Sequence, residues 1–194
     1  MARKERVSRG KTMRPNYFVF CEGETEVAYT EMLRSYYRLS IHIITKKTLQ
    51  NVTTALVERC KAVYVQTASD RTYLMYDLDV AEMLEKLQKV TGAELLCSNP
   101  CFELWLLLHY KEVKASLTSE ECVKKLSSVA KQYKKGVLAD EMVKQLNDNA
   151  GKAIERAKGL KEYENPSTTV YLLVKELELL KKKEEEKAKK GRSS

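Results

Sequence analysis

The stretch Tyr17-Phe-Val-Phe-Cys-Glu-Gly-Glu-Thr-Glu26 decides the fold, because a short apolar run ends there in a cluster of acids. The run Tyr17–Cys21 is continuous rather than alternating, which is typical of a parallel strand buried on both faces. An acid and a glycine interrupt it. The spacing then predicts a helix over residues 24–38, and Glu24 and Glu26 stand in its first turn, where the helix dipole favours negative charge. The stretch therefore predicts a strand, a turn that carries acids, and a helix.

The same unit recurs along the front half of the chain. Further strands are predicted at 41–44, 73–76 and 94–97, with helices at 51–67 and 80–90. Alternation of strands and helices predicts a parallel sheet with right-handed crossovers. In the back half, helices are predicted at 101–110, 118–133, 138–147 and 150–162, and the last one begins at Asn165-Pro-Ser-Thr168. The predicted fold class is α/β, a parallel sheet flanked by helices with a helical C-terminal half.

Length and charge predict one domain with two charged tails. The chain has 194 residues, 43% of them hydrophobic, and a net charge of +8. Residues 1–14 and 181–194 carry balances of +5 and +4, so the rest of the chain is close to neutral; the two segments are predicted as a basic disordered tail and a charged tail. Between them, residues 15–180 form the predicted domain, with an α/β core at 15–110 and a helical part at 111–180. Basic tails are typical of nucleic-acid arms and also of simple solvated ends, and both interpretations stay open.

Composition also excludes some classes of protein. The longest purely apolar run near the single tryptophan is Leu104–Leu108, far short of the roughly 20 residues that a membrane span needs. No apolar stretch of signal-peptide length follows Met1. The five cysteines form no C-x-x-C pair, as expected for reduced thiols. We therefore expect a cytoplasmic protein without a membrane partner.

Acidic residues follow the predicted strands. Glu22 comes after the first strand, with Glu26 one helical turn later, and Asp77 and Asp79 end the third strand. Ligands of open parallel sheets bind beyond the carboxyl ends of the strands, so these carboxylates are expected to converge. Clustered carboxylates repel one another unless a hard cation joins them. Glu22, Asp77 and Asp79 thus predict a Mg²⁺ or Mn²⁺ site, and the alternative is that each acid only caps a helix.

The motifs resemble a known family. Cys21-Glu-Gly-Glu-Thr-Glu26 and Asp77-Leu-Asp79 resemble the Toprim domain of primases, topoisomerases and overcoming-lysogenization-defect nucleases. Ser98-Asn-Pro-Cys-Phe-Glu-Leu-Trp-Leu-Leu-Leu-His109 and Asn165-Pro-Ser-Thr-Thr-Val170 are similar to the RloB-like family of abortive-infection proteins. The resemblance runs from about residue 17 to about residue 180 and leaves out only the tails.

The resemblance implies a metal-dependent nuclease in antiphage defence that acts on DNA or RNA. An ATPase encoded nearby is an expected partner, and a homodimer stays open. Carried onto this chain, Glu22, Asp77 and Asp79 would be the metal carboxylates, with Glu22 alternatively the general base, and Glu26 would be an extra acid. Glu103 begins the helix after the fourth strand, where it either joins the site or caps that helix.

The sequence leaves open the catalytic cation, the role of a lysine cluster, and the choice between a nuclease and a binding module. No basic residue can be matched to a catalytic lysine. The cluster of Lys131, Lys134 and Lys135 either contacts a nucleic-acid backbone or forms a solvated face. The alternative to a nuclease is a non-catalytic Toprim-like binding module that works with a partner ATPase.

Overall fold

A five-stranded sheet forms the centre of the protein in the computed structural model, which describes residues 13–49 and 51–192. The strands are β1 (Asn16–Cys21), β2 (His42–Lys47), β3 (Arg71–Asp77), β4 (Glu94–Asn99) and β5 (Ser167–Thr168). Their order across the sheet is β2-β1-β3-β4-β5. The first four strands run parallel, as predicted, and β5 pairs antiparallel with β4. The α/β class is confirmed, with a mixed rather than a purely parallel sheet.

Eight helices lie within the described ranges. They are α1 (Glu24–Tyr37), α2 (Thr54–Lys61), α3 (Met83–Gln88), α4 (Glu103–Leu108), α5 (Ser119–Val129), α6 (Asp140–Asp148), α7 (Ala150–Lys158) and α8 (Tyr171–Arg192). Four of them, α5 to α8, follow α4 and form the predicted helical C-terminal part. No helix in this part of the chain is both long and apolar enough to cross a membrane.

Each face of the sheet carries its own core. Tyr17 and Val19 of β1 pack on one face with side chains of α1 and α4 to α8. Phe18 and Phe20 pack on the other face with side chains of α2 and α3. Both faces of β1 are therefore buried, which explains why its sequence is a continuous apolar run. On the first face α4 is buried along its whole length.

The predicted start of the last helix is wrong. The segment Asn165-Pro-Ser-Thr168 contains β5, and helix α8 begins only at Tyr171. The hydroxyl of Thr169 accepts a hydrogen bond of 2.8 Å from the backbone N–H of Cys97 in β4. Small hydroxyl-bearing residues that resemble a helix cap are thus used here to extend the sheet beyond β4.

The charged C-terminal segment is helical, although no helix was predicted beyond Leu180. Helix α8 continues to Arg192. The first residues of the charged segment contact α1 and the loop after it. The ammonium of Lys181 lies 5.1 Å from the ring centre of Tyr36, and Glu184 accepts a 2.9 Å hydrogen bond from the backbone N–H of Ser40. Side chains 185–190 are exposed. Of the predicted N-terminal tail, residues 1–12 lie outside the described residues.

Candidate active site

Glu22 and Asp77 meet at the carboxyl ends of β1 and β3. The backbone N–H of Glu22 donates to the carbonyl of Met75 at 3.1 Å, which extends the pairing of the two strands by one residue. The backbone N–H of Asp77 in turn donates to Oε2 of Glu22 at 3.1 Å. The parallel register therefore brings these two predicted site residues together.

The Asp77 side chain joins the sheet to the start of α4. Its Oδ1 accepts a 2.7 Å hydrogen bond from the backbone N–H of Phe102, the residue directly before the helix. Burial raises the pKa of the Asp77 carboxyl well above its usual value, and the charges of Glu26, Glu103 and Glu22 raise this pKa further. The hydrogen bond from Phe102 acts in the opposite direction. Four acids thus share one electrostatic environment.

Glu26 is the most deeply placed acid of α1, with only 3% of its surface exposed. Burial is the main reason why its pKa rises from 4.5 to about 7, and the charges of Glu103 and Glu22 add to the rise. Its carboxylate folds back over the turn before the helix. A Cβ atom added to Gly23 would lie 2.9 Å from Oε2 of Glu26, so glycine leaves the room that this carboxylate occupies.

Glu103 belongs to the same group and has a specific partner. It opens α4 with 4% of its surface exposed, and its Oε1 accepts a 2.5 Å hydrogen bond from the hydroxyl of Tyr133. Burial and the Glu103 charge raise the pKa of Tyr133, so the phenol stays protonated and can donate. The sequence left open whether Glu103 joins the site or caps a helix, and the structure places it beside Asp77 and Glu26.

Asp79 lies at the rim of the site rather than in the buried group. β3 ends at Asp77, so the chain is no longer a strand at Asp79, and the Asp79 side chain is exposed. Both aspartates nevertheless line one cavity of about 290 Å³. Its other polar lining residues are Glu103, Ser119, Glu120 and Lys135.

A ready metal centre is not assembled here. Among residues 13–49 and 51–192, no three histidine, cysteine, aspartate or glutamate side chains are grouped so that they could hold a metal ion. The donor set of these acids nevertheless consists of carboxylate oxygens, which suit a hard divalent cation, and burial together with neighbouring negative charges raises the pKa of Glu26 and Asp77. Metal binding by Glu22, Asp77 and Asp79 therefore stays a prediction.

Lys135 is the cation that sequence reasoning did not assign to the site. It lines the cavity together with Asp77, Asp79 and Glu103, although it lies at least 32 positions away from each of them in the sequence. In the sequence, the local sign of a turn at this point is Gly136, which directly follows Lys135.

The turn that carries Lys135 is held against the start of α1. Gly136 has a positive φ of 77°, and its N–H donates a 3.0 Å hydrogen bond to the hydroxyl of Thr25. A Cβ atom added to Gly136 would lie 3.0 Å from Cβ of Glu24. This close approach is what brings the Lys135 segment to the carboxylates.

The rest of the Ser98–His109 motif is structural. Every residue from Phe102 to Leu108 is buried, as its apolar sequence predicts. His109 is 2% exposed, and its Nδ1 donates a 2.9 Å hydrogen bond to the carbonyl of Trp105. Burial lowers the pKa of His109 to about 4, so the ring is neutral at physiological pH. His109 is therefore a core residue with a hydrogen-bond partner.

Comparison with known proteins decides the family. The family model described as "RloB-like protein" matches residues 17–177 of the chain. The chain belongs to the RloB-like family. The match includes Glu22, Glu26, Asp77, Asp79, Glu103 and Lys135, so this RloB-like protein carries its candidate site inside the region that defines the family. Neither the curated proteins nor the solved structures that were searched contain a match.

Proposed function

We propose that this RloB-like protein is a metal-dependent nuclease that hydrolyses phosphodiester bonds of nucleic acid. The observation that carries the proposal is the grouping of four acids beyond the carboxyl ends of the strands, with Glu26 and Glu103 buried and Glu22 and Asp77 half-buried. Burial and the neighbouring negative charges raise the pKa of Glu26 and Asp77, and keeping these acids ionised costs stability that a bound cation would offset. The natural ligand of a group of carboxylates is a hard divalent cation.

Asp77, Glu22 and Asp79 are the residues that would hold Mg²⁺ or Mn²⁺, with Glu26 beside them. A bound ion of this kind stabilises charge that develops on a phosphate and lowers the pKa of an attacking water. Glu22 already accepts a hydrogen bond from the backbone of Asp77, which fixes one of its oxygens at the end of β3. The Asp77 carboxylate is likewise oriented by the N–H of Phe102.

Two further groups of the chain suit phosphodiester chemistry. Glu26 has a pKa of about 7, so near neutral pH it can take up or release a proton as a general base or acid. Lys135 lines the same cavity as Asp77 and Asp79, and its ammonium can attract a phosphate oxygen. Exposed lysines of α8, such as Lys182 and Lys187, add positive charge at a distance that favours approach of a polyanion.

A cleavage assay tests the proposal. Labelled DNA and labelled tRNA are incubated with the protein in Mg²⁺ or in chelator, with and without the neighbouring ATPase. We expect Mg²⁺-dependent cleavage that falls about 100-fold or more in Asp77→Asn, because the variant keeps the shape and removes one ligand charge. Asp148→Asn, at an exposed position of α6, is the matched control and should cleave like the wild type. Equal cleavage by both variants contradicts the assignment.

The family resemblance extends the proposal to antiphage defence through abortive infection. In that role the nuclease would act after infection, together with the expected ATPase. Phage plating on cells that express the wild type should be lower than on cells that express Asp77→Asn. Equal plating on both strains would count against a defence role without bearing on the chemistry.

A second candidate is a non-catalytic binding module that works with the ATPase. Two observations favour it: the described residues contain no three-ligand metal group, and the Asp77 carboxylate already accepts a hydrogen bond from the backbone N–H of Phe102. In that case the acids would be neutralised by protons rather than by a metal. A protein that shows no Mg²⁺ response but still binds the ATPase would support this candidate.

A further inference from the structure

A second cavity lies near the site, between α5, α6 and the segment that joins them. Its volume is about 440 Å³, within the range of about 300–1,000 Å³ that is usual for small-ligand pockets. Its walls carry two tyrosines, two glutamines, one glutamate and one lysine: Tyr110, Tyr133, Gln132, Gln145, Glu141 and Lys131. The buried Met142 adds an apolar surface to this cavity.

This set of side chains suits a nucleobase. Tyrosine rings provide surfaces on which bases stack, whatever their sequence. Amide side chains such as Gln145 can pair with a base edge, and a carboxylate such as Glu141 can accept from an exocyclic amino group. Burial and the charge of Glu141 raise the pKa of Tyr110, so its hydroxyl remains a donor.

The cavity is joined to the carboxylate site by one short segment. Tyr133 lines the cavity and also donates its hydrogen bond to Glu103 of the acidic group. Lys131 lines the tyrosine-containing cavity, while Lys135, four residues later, lines the cavity that contains Asp77 and Asp79. The segment 131–135 therefore contributes residues to both cavities, with Lys131, Gln132 and Tyr133 at one and Lys135 at the other.

From this arrangement we infer that the tyrosine-containing cavity binds one nucleobase whose attached phosphate lies at the carboxylate cavity, so that the substrate is single-stranded nucleic acid. A base inside a duplex cannot enter such a pocket without being unpaired and unstacked, which costs free energy. The inference rests on the proposed function, because it places the phosphate where cleavage would occur. Lys131 and Lys135, which lie on either side of Tyr133 in the sequence, would then contact phosphates of the bound strand.

Binding measurements test the inference separately from cleavage. The probe is a fluorescent 12-mer with phosphorothioate linkages that resist hydrolysis, used single-stranded and as a duplex in Mg²⁺. We expect the wild type to prefer the single strand. Tyr110→Leu should weaken single-strand binding by about 5- to 150-fold, the usual effect of losing one stacked base, and should leave duplex binding unchanged.

Gln145→Glu is a second variant, because its exposed position should tolerate the change even if Tyr110→Leu folds poorly. Its added charge beside Glu141 should weaken single-strand binding. Tyr36→Leu and Gln88→Glu make the same chemical changes at exposed positions outside the cavity and should bind like the wild type. Melting of each variant, followed by circular dichroism, verifies folding.

The outcomes separate the two proposals. Equal wild-type affinity for single strand and duplex, or cavity variants that bind like their controls, overturns the inference even if the protein cleaves. Base-dependent binding without Mg²⁺-dependent cleavage supports the pocket and contradicts the nuclease. A third arm uses free nucleoside monophosphates: if they bind at the cavity and the oligonucleotide does not, the base comes from a free nucleotide and the substrate assignment is overturned.

Discussion

Glu26 couples the stability of the fold to pH through its buried carboxyl. Its pKa is 4.5 when unperturbed and about 7 in the folded chain. Between these values the folded state binds more protons than the unfolded state, so this group lowers the free energy of unfolding as pH rises from about 4.5 to about 7. Above pH 7 its full cost is present, at about 3 kcal/mol.

Glu26→Gln should therefore stabilise the protein at pH 8 by about 3 kcal/mol and change little at pH 4, where Glu26 is protonated in both states. The amide oxygen can still accept hydrogen bonds, so the difference reports the charge. Urea unfolding in chelator at both pH values measures it. Glu85→Gln, at an exposed position of α3, is the control and should show no such dependence on pH. Equal stability of Glu26→Gln and wild type at pH 8 would show that Glu26 is not crowded.

At the scale of elements, the turn between α5 and α6 brings Lys135 to the acids. Gly136 and Gly92 both have positive φ, of 77° and 73°, but only Gly136 has close neighbours. An alanine at either position carries the strain of the left-handed backbone, roughly 1–2 kcal/mol. At Gly136 the new Cβ would also press on Glu24 at 3.0 Å.

Gly136→Ala should thus destabilise the protein more than Gly92→Ala does. The difference between their losses in free energy of unfolding measures the contact of Gly136 with α1. Because that contact positions Lys135, cleavage should fall in Gly136→Ala and stay near the wild-type rate in Gly92→Ala. Chemical unfolding and the cleavage assay measure the two effects. A Gly136→Ala variant with wild-type cleavage would mean that the turn does not position a functional lysine.

The elements also show where sequence patterns stop being informative. The strands β1 to β4 were predictable because each contains a short apolar run that contributes to the core, although only Ile43 of β2 is fully buried. Helix α2 was predicted to reach Thr67 because Val63 and Val65 continue an apolar pattern. It ends at Lys61, and the two valines are 77% and 68% exposed. β5 was missed because a two-residue strand has no periodicity and exists only through its partner β4.

At the scale of the whole molecule, the candidate site also has a part that the sequence predicted and a part that it did not. The convergence of Glu22, Glu26 and Asp77 was predictable because the carboxyl ends of neighbouring parallel strands meet at one edge of a sheet. The contribution of Lys135 was not, because it depends on how α5 and α6 pack over that edge. Tyr133 was missed for the same reason, since its bond to Glu103 joins residues 30 positions apart.

The central claim is that these carboxylates form a binding site for a divalent cation. The most direct measurement is the melting temperature of the wild type, Asp77→Asn and Asp148→Asn in chelator and in increasing Mg²⁺. A ligand that binds only the folded state stabilises it by mass action, so the wild type and Asp148→Asn should melt at higher temperature as Mg²⁺ rises, and Asp77→Asn should respond less. A wild-type melting temperature that stays constant up to about 10 mM Mg²⁺, or an equal rise in Asp77→Asn, would contradict the account.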